Sequence, residues 1–70
     1  MTRQPVRSTS LRSVGYDAEH GLLEIEFRSG NVYQYSGVPE ETYSGLMTAP
    51  FIGSFFHKNI KDRYPCLRIR

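Results

Sequence analysis

One cysteine, no tryptophan and no apolar run near the roughly 18 residues of a membrane span set the first limits on this 70-residue chain. Cys66 alone cannot close an internal disulfide, so it is expected as a small buried apolar group in a reducing compartment. The polar, arginine-bearing N-terminus holds no signal-peptide apolar region, which leaves the cytoplasm as the expected location and gives no membrane role. There is no glycine-rich phosphate loop. His20 falls in a turn and His57 on a helix, neither with a partner at metal-ligand spacing, so no metal or other cofactor is expected.

Enzymatic machinery is equally scarce. A catalytic site needs a nucleophile with a base, an acid–base pair or a metal cluster. Cys66 and His57 are the only thiol–imidazole combination, and they lie on different expected elements. Glu24 and Glu26 share one strand face about 7 Å apart, a separation compatible with paired carboxylates, but exposed acids alternate this way in ordinary solvated strands. The expectation is a protein that is not an enzyme.

What is present is a hairpin. Leu23, Ile25 and Phe27 alternate with Glu24, Glu26 and Arg28, the period-2 pattern of a strand with one wet face. Ser29-Gly30-Asn31 supplies turn chemistry, and Val32-Tyr33-Gln34-Tyr35 has strong β preference. Two registers are open. A two-residue Ser29-Gly30 loop puts Tyr33 opposite Glu26 on the charged face, where the tyrosines form an exposed pair suited to stacking bases. A three-residue Arg28-Ser29-Gly30 loop puts Ile25 opposite Tyr33 and Leu23 opposite Tyr35, gathering the large apolar side chains on one face. Burial at about 1.5–3 kcal/mol per large side chain favours the second register.

Around the hairpin, residues 1–10 read as a flexible arm and residues 11–70 as one domain, since 70 residues cannot be divided into two cores. Leu11–Tyr16 is a first strand, with Gly15 marking a bulge or a close backbone approach. Pro39 opens a helix with Glu40 and Glu41 in its first turn, and Tyr43, Leu46 and Met47 form its apolar stripe. Gly45 within it suggests close packing. Pro50 ends it, and Ile52, Phe55, Phe56 and Ile60 mark a second helix over roughly residues 51–61. Cys66–Arg70 alternates as a final edge strand, with Leu67 and Ile69 expected inward and both arginines outward. The predicted fold is α+β: a three-stranded antiparallel meander, two helices packed on one sheet face, and a C-terminal edge strand, in the order β-β-β-α-α-β. The thin margin of so small a domain allows a monomer or a homodimer.

Charge is distributed unevenly. Residues 1–16 carry Arg3, Arg7 and Arg12 without an acid, and residues 57–70 carry Lys58, Lys61, Arg63, Arg68 and Arg70 against Asp62 alone. The middle holds Arg28 against Asp17, Glu19, Glu24, Glu26, Glu40 and Glu41. Basic ends that meet in space form a phosphate-binding field.

Ser13-Val14-Gly15-Tyr16-Asp17, Leu23-x-Ile25-x-Phe27, Gly30-x-x-Tyr33-x-Tyr35-x-x-Val38-Pro39, Gly53-x-Phe55-Phe56 and Arg63-Tyr64-Pro65 together resemble the KTSC domain over residues 8–70. That family is named for its occurrence at the C-terminus of some lysyl-tRNA synthetases and also occurs as small free-standing bacterial and phage proteins. Tyr33 and Tyr35 match its central Tyr-x-Tyr motif. The resemblance implies a small binding module of unestablished function, for which the synthetase association suggests RNA, without the synthetase's catalytic domain. The candidate nucleic-acid residues are Arg12, Lys58, Lys61, Arg63, Arg68 and Arg70, with Arg12 joining the others if the last strand lies beside the first. The competing expectation is a protein-interaction module, or an appendage of a larger bacterial or phage assembly, contacting its partner through Tyr33, Tyr35, Phe51 and the edge of the final strand.

Overall fold

The structure, a computed structural model, describes residues 1–70. It contains strands β1 (Gln4–Pro5), β2 (Leu11–Asp17), β3 (Leu22–Phe27) and β4 (Val32–Tyr35), helices α1 (Glu40–Thr48) and α2 (Ile52–Asn59), and strand β5 (Cys66–Arg68). All neighbouring strands are antiparallel, in the spatial order β1-β2-β3-β4-β5. This is the α+β plan of meander, helix pair and edge strand, with one strand added at the N-terminal edge.

The hairpin adopts the register that burial favours. Leu23 lies opposite Tyr35 and Ile25 opposite Tyr33. The turn closes with Phe27 N–H donating to Asn31 O at 2.9 Å and Gly30 N–H donating to Phe27 O at 2.9 Å. Gly30 has φ +100°, a conformation costly for any residue with a Cβ. Leu11, Val14, Leu23, Ile25, Val38, Leu46, Phe56 and Ile60 form the buried core between sheet and helices. A bulge at Arg12 keeps Leu11 and Val14 on that same face although they are three residues apart.

The helix boundaries follow the local chemistry. Pro39 is the N-cap of α1, Glu40 and Glu41 occupy its first turn, and Ala49 before Pro50 is extended at φ −67°, ψ 139°. Tyr16 ties the meander to this helix. Its ring stacks on Tyr43 at 4.5 Å and its hydroxyl donates to Val38 O at 2.6 Å.

Within residues 1–10, read from the sequence as an arm, Gln4–Pro5 form the edge strand β1 and Met1–Arg3 lie close to Gly15 of β2. Gln4 and Pro5 pair with Val14 and Ser13, and Val6 N–H donates to Arg12 O. The anchor is an ion pair between Arg3 and Glu24, to which Gln34 also donates at 3.0 Å. Glu24 is therefore 7% exposed, not on a solvated face. Glu26 is likewise engaged, by Ser13 at 2.9 Å and Arg70 at 3.2 Å. Gly15 leaves room for the arm: a Cβ there would stand 2.9 Å from Thr2 O and 3.0 Å from Arg3 Cγ. The close-approach reading of Gly15 holds, and the bulge falls at Arg12.

The final strand departs from expectation in its facing. Cys66 pairs with Tyr35, Leu67 with Gln34 and Arg68 with Tyr33. Leu67 thus points to the open face at 66% exposure, and Ile69 is 45% exposed. Hydrogen bonds from Ser36 N–H to Pro65 O and from Val32 N–H to Arg70 O fix this register, and the helices do not extend over β5 to bury either side of it. Cys66 is exposed, contrary to its expected burial.

Gly15→Ala is expected to lift the arm and break the Arg3–Glu24 pair, destabilising the domain by about 1–3 kcal/mol in urea titration. The Val6 amide would lose its protection from hydrogen exchange before the β3 amides do.

Candidate nucleic-acid interface

Aromatic side chains collect on the helix side of β3 and β4 because the hairpin register sends Phe27, Tyr33 and Tyr35 to one face. Phe56 of α2 meets all but one of them edge-on, 5.4 Å from Phe27 and 5.7 Å from Tyr35. Tyr33 packs against Phe27 at 5.8 Å and stacks beside Tyr35 at 6.5 Å. Where α2 ends short of β5, the packing opens into a groove of about 380 Å³. Its walls include Phe27, Tyr33, Tyr35 and Phe56, and its rim includes Lys61 and Asp62. This volume lies at the small end of the range for ligand pockets.

The cationic residues divide between the two sheet faces. Arg70 pairs with Glu26 on the open face. Arg12 sits on β2, separated from β5 by two strands, about 14 Å at ~4.8 Å per strand. The first strand read from the sequence is β2, which does not lie beside β5, so Arg12 does not extend the C-terminal group. Lys58, Lys61, Arg63 and Arg68 are exposed and form no salt bridge. Arg68 stands opposite Tyr33 and so faces the groove side, its Nε 3.5 Å from Arg70 O. Lys58 lies on the outer surface of α2, on the side away from buried Phe56 and Ile60.

His57 and Cys66 both border the groove, yet no hydrogen bond joins thiol to imidazole. No three His, Cys, Asp or Glu side chains converge as metal ligands would. Sequence reasoning had no means of placing His57, Asp62 and Cys66 beside the tyrosine pair. Only the β4–β5 register and the turn after α2 bring them there.

Tyr35 is the buried member of the tyrosine pair. Burial, followed by the nearby Cys66, Tyr33 and Asp62, pushes its phenol up to about 12. Tyr16 is raised too, by burial and then by Glu40, Glu41 and Asp17. A raised acid holds its proton more tightly when folded. The stabilisation is complete below the ordinary phenol value near 10 and is lost as pH climbs toward 12, by up to about tenfold in the folding equilibrium per pH unit. Urea unfolding between pH 9 and 12 is expected to show this decline. Tyr35→Phe should remove its own part and keep the part due to Tyr16.

Comparison with known proteins agrees with this architecture. The KTSC domain model matches residues 7–64. A protein of Stutzerimonas stutzeri is 42% identical over 64 residues, covering 91% of this chain and 90% of that one. A lysine–tRNA ligase of Trichormus variabilis is 37% identical over 54 residues, which cover 77% of this chain and 10% of the ligase. The crystal structure of a KTSC domain protein from Yersinia pestis superposes with a TM-score of 0.96 at 43% identity, over 99% of this chain and 97% of that one. With the meander, the helix pair and the Tyr33-x-Tyr35 strand all in place, the chain belongs to the KTSC domain family.

Proposed function

We propose that this domain is a non-enzymatic binding module for single-stranded RNA, contacting it along the helix-side groove. The observation that carries the reading is an aromatic-walled groove lined by the unpaired Lys61, with Arg68 opposite its Tyr33 on β5 and exposed Lys58 and Arg63 within three residues of Lys61 in the chain. Unpaired bases need an aromatic surface and the backbone needs positive charge beside it. The open face offers neither in usable form, because Arg3 and Arg70 are neutralised by Glu24 and Glu26. The similarity of the chain to a segment of lysine–tRNA ligases, enzymes that handle RNA, supports the same reading. Arg12 and Arg70 are left out of the interface.

The protein-contact reading draws on Phe51, 76% exposed, and Leu67. Phe51 begins α2 on the helix side and Leu67 faces the open side, so they do not make one apolar patch.

Binding of a fluorescent single-stranded RNA is expected to weaken with salt at about 0.7 log units per log unit for each phosphate contact. Three contacts give roughly a twentyfold loss between 50 and 200 mM. Reversing Lys61, Arg63 and Arg68 to glutamate should abolish binding without changing the thermal midpoint by more than a few degrees. Arg12→Glu should leave affinity within about twofold. Flat titrations at 50 mM salt would remove the reading.

A further inference from the structure

The floor of the groove holds a polar group whose presence the fold does not explain. Tyr35 is 5% exposed, its ring fixed against Phe56 and beside Tyr33. Its hydroxyl makes no hydrogen bond to any protein atom, whereas the Tyr16 hydroxyl donates to Val38 O and that of Tyr64 meets Thr42 Oγ1 at 3.5 Å. No fully buried side-chain polar atom in the domain lacks a partner, so the Tyr35 oxygen, which has none, is open to solvent, and Tyr35 lines the groove. A phenol with a buried ring ordinarily finds a partner, because leaving one unmade is costly. Tyr35, which carries an O–H donor, and Asp62, which carries an acceptor, line the same groove. Asp62 is held in the left-handed conformation at φ 61° just after α2, which fixes where the chain turns across the groove.

A donor and an acceptor on one apolar recess are complementary to a flat heterocycle that carries a carbonyl oxygen next to a ring N–H. Uracil and guanine have that keto–imino edge. Cytosine has an amino group and an unprotonated ring nitrogen in the corresponding positions, and adenine has no carbonyl. The surrounding aromatic rings give the base an apolar wall, Lys61 lines the groove, and Arg68 stands opposite Tyr33 on β5, so both offer positive charge to an adjoining phosphate. We propose that the groove admits one unstacked base with a keto–imino edge, the Tyr35 hydroxyl donating to its carbonyl oxygen and the Asp62 carboxylate accepting from its ring N–H. This inference rests on the RNA-binding reading and adds base selectivity to it. The acid-weakening surroundings of Tyr35 keep its phenol protonated, and therefore a donor, throughout the neutral range.

The test is a set of anisotropy titrations of the full chain at 50 mM salt with labelled ten-nucleotide oligouridine, oligocytidine and an abasic decamer of the same charge. Oligouridine is expected to bind about tenfold more tightly than oligocytidine, the ratio that about 1.4 kcal/mol of matched hydrogen bonding gives. Tyr35→Phe keeps the ring and its packing, and should bring oligouridine down to the oligocytidine level with the salt slope unchanged. In the wild-type protein, oligouridine should shift the NMR signals of Tyr35, Asp62 and Cys66 more than the abasic decamer does, a measurement that does not depend on the variant folding. Equal affinity for all three decamers, with normal salt dependence, overturns the base recess and leaves RNA binding intact. Absence of binding to every decamer overturns both.

Discussion

The pairing of β3 with β4 is the constraint from which the remaining structure follows. With Leu23 opposite Tyr35 and Ile25 opposite Tyr33, every large apolar side chain of the hairpin faces the helices. The same pairing sends Glu24, Glu26 and Gln34 to the other face. A slip of one residue would exchange these sets, burying two carboxylates under α2 and exposing the core. One register thus determines where the helices dock, where the aromatic groove opens, and where the chain must find positive charge to compensate the acids.

That compensation comes from the two ends of the chain. Arg3 reaches Glu24 from the N-terminal arm and Arg70 reaches Glu26 from beyond β5. The basic termini do return to a common side of the sheet, but there they meet the carboxylates of β3 and cease to act as a free field. The Arg3–Glu24 pair is nearly covered, so removing either partner would leave a charge with poor access to water. Seven cations stay outside salt bridges, Arg7, Arg12, Arg28, Lys58, Lys61, Arg63 and Arg68, and of these Lys61 lines the groove. The uneven charge along the sequence becomes an open face that is locally neutral and a helix side that keeps its cations.

The hairpin register, both helices and the edge position of β5 were legible because each rests on a local rule: alternation, a proline boundary, or burial of one face. The hairpin turn at Gly30 and the stop at Ala49 are of this kind. The arm was not legible, because Gln4 and Pro5 have no apolar period, and what anchors this segment is an ion pair 21 residues away in sequence. The facing of β5 failed for a different reason. Alternation in Cys66–Arg70 says that two sets of side chains diverge, and it does not say which side the helices cover. Leu67 and Ile69 read as inward on hydrophobicity, yet the hydrogen bonds to Val32 and Ser36 fix the opposite facing and no layer covers them. The groove was out of reach for the same reason, since His57, Asp62 and Cys66 meet only through that register.

Tyr35 shows where folding and function part. Its ring does what a phenylalanine ring would do there, packing edge-on against Phe56 and lying beside Tyr33. The oxygen contributes no hydrogen bond to the fold, and burial disfavours only its ionised form, which raises the phenol. The other two tyrosines with ordered hydroxyl contacts, Tyr16 and Tyr64, use theirs to bind loop and helix together. The Tyr35 hydroxyl is instead left open to solvent at the groove. An occupant that replaces water there without stranding the donor has to present an acceptor atom.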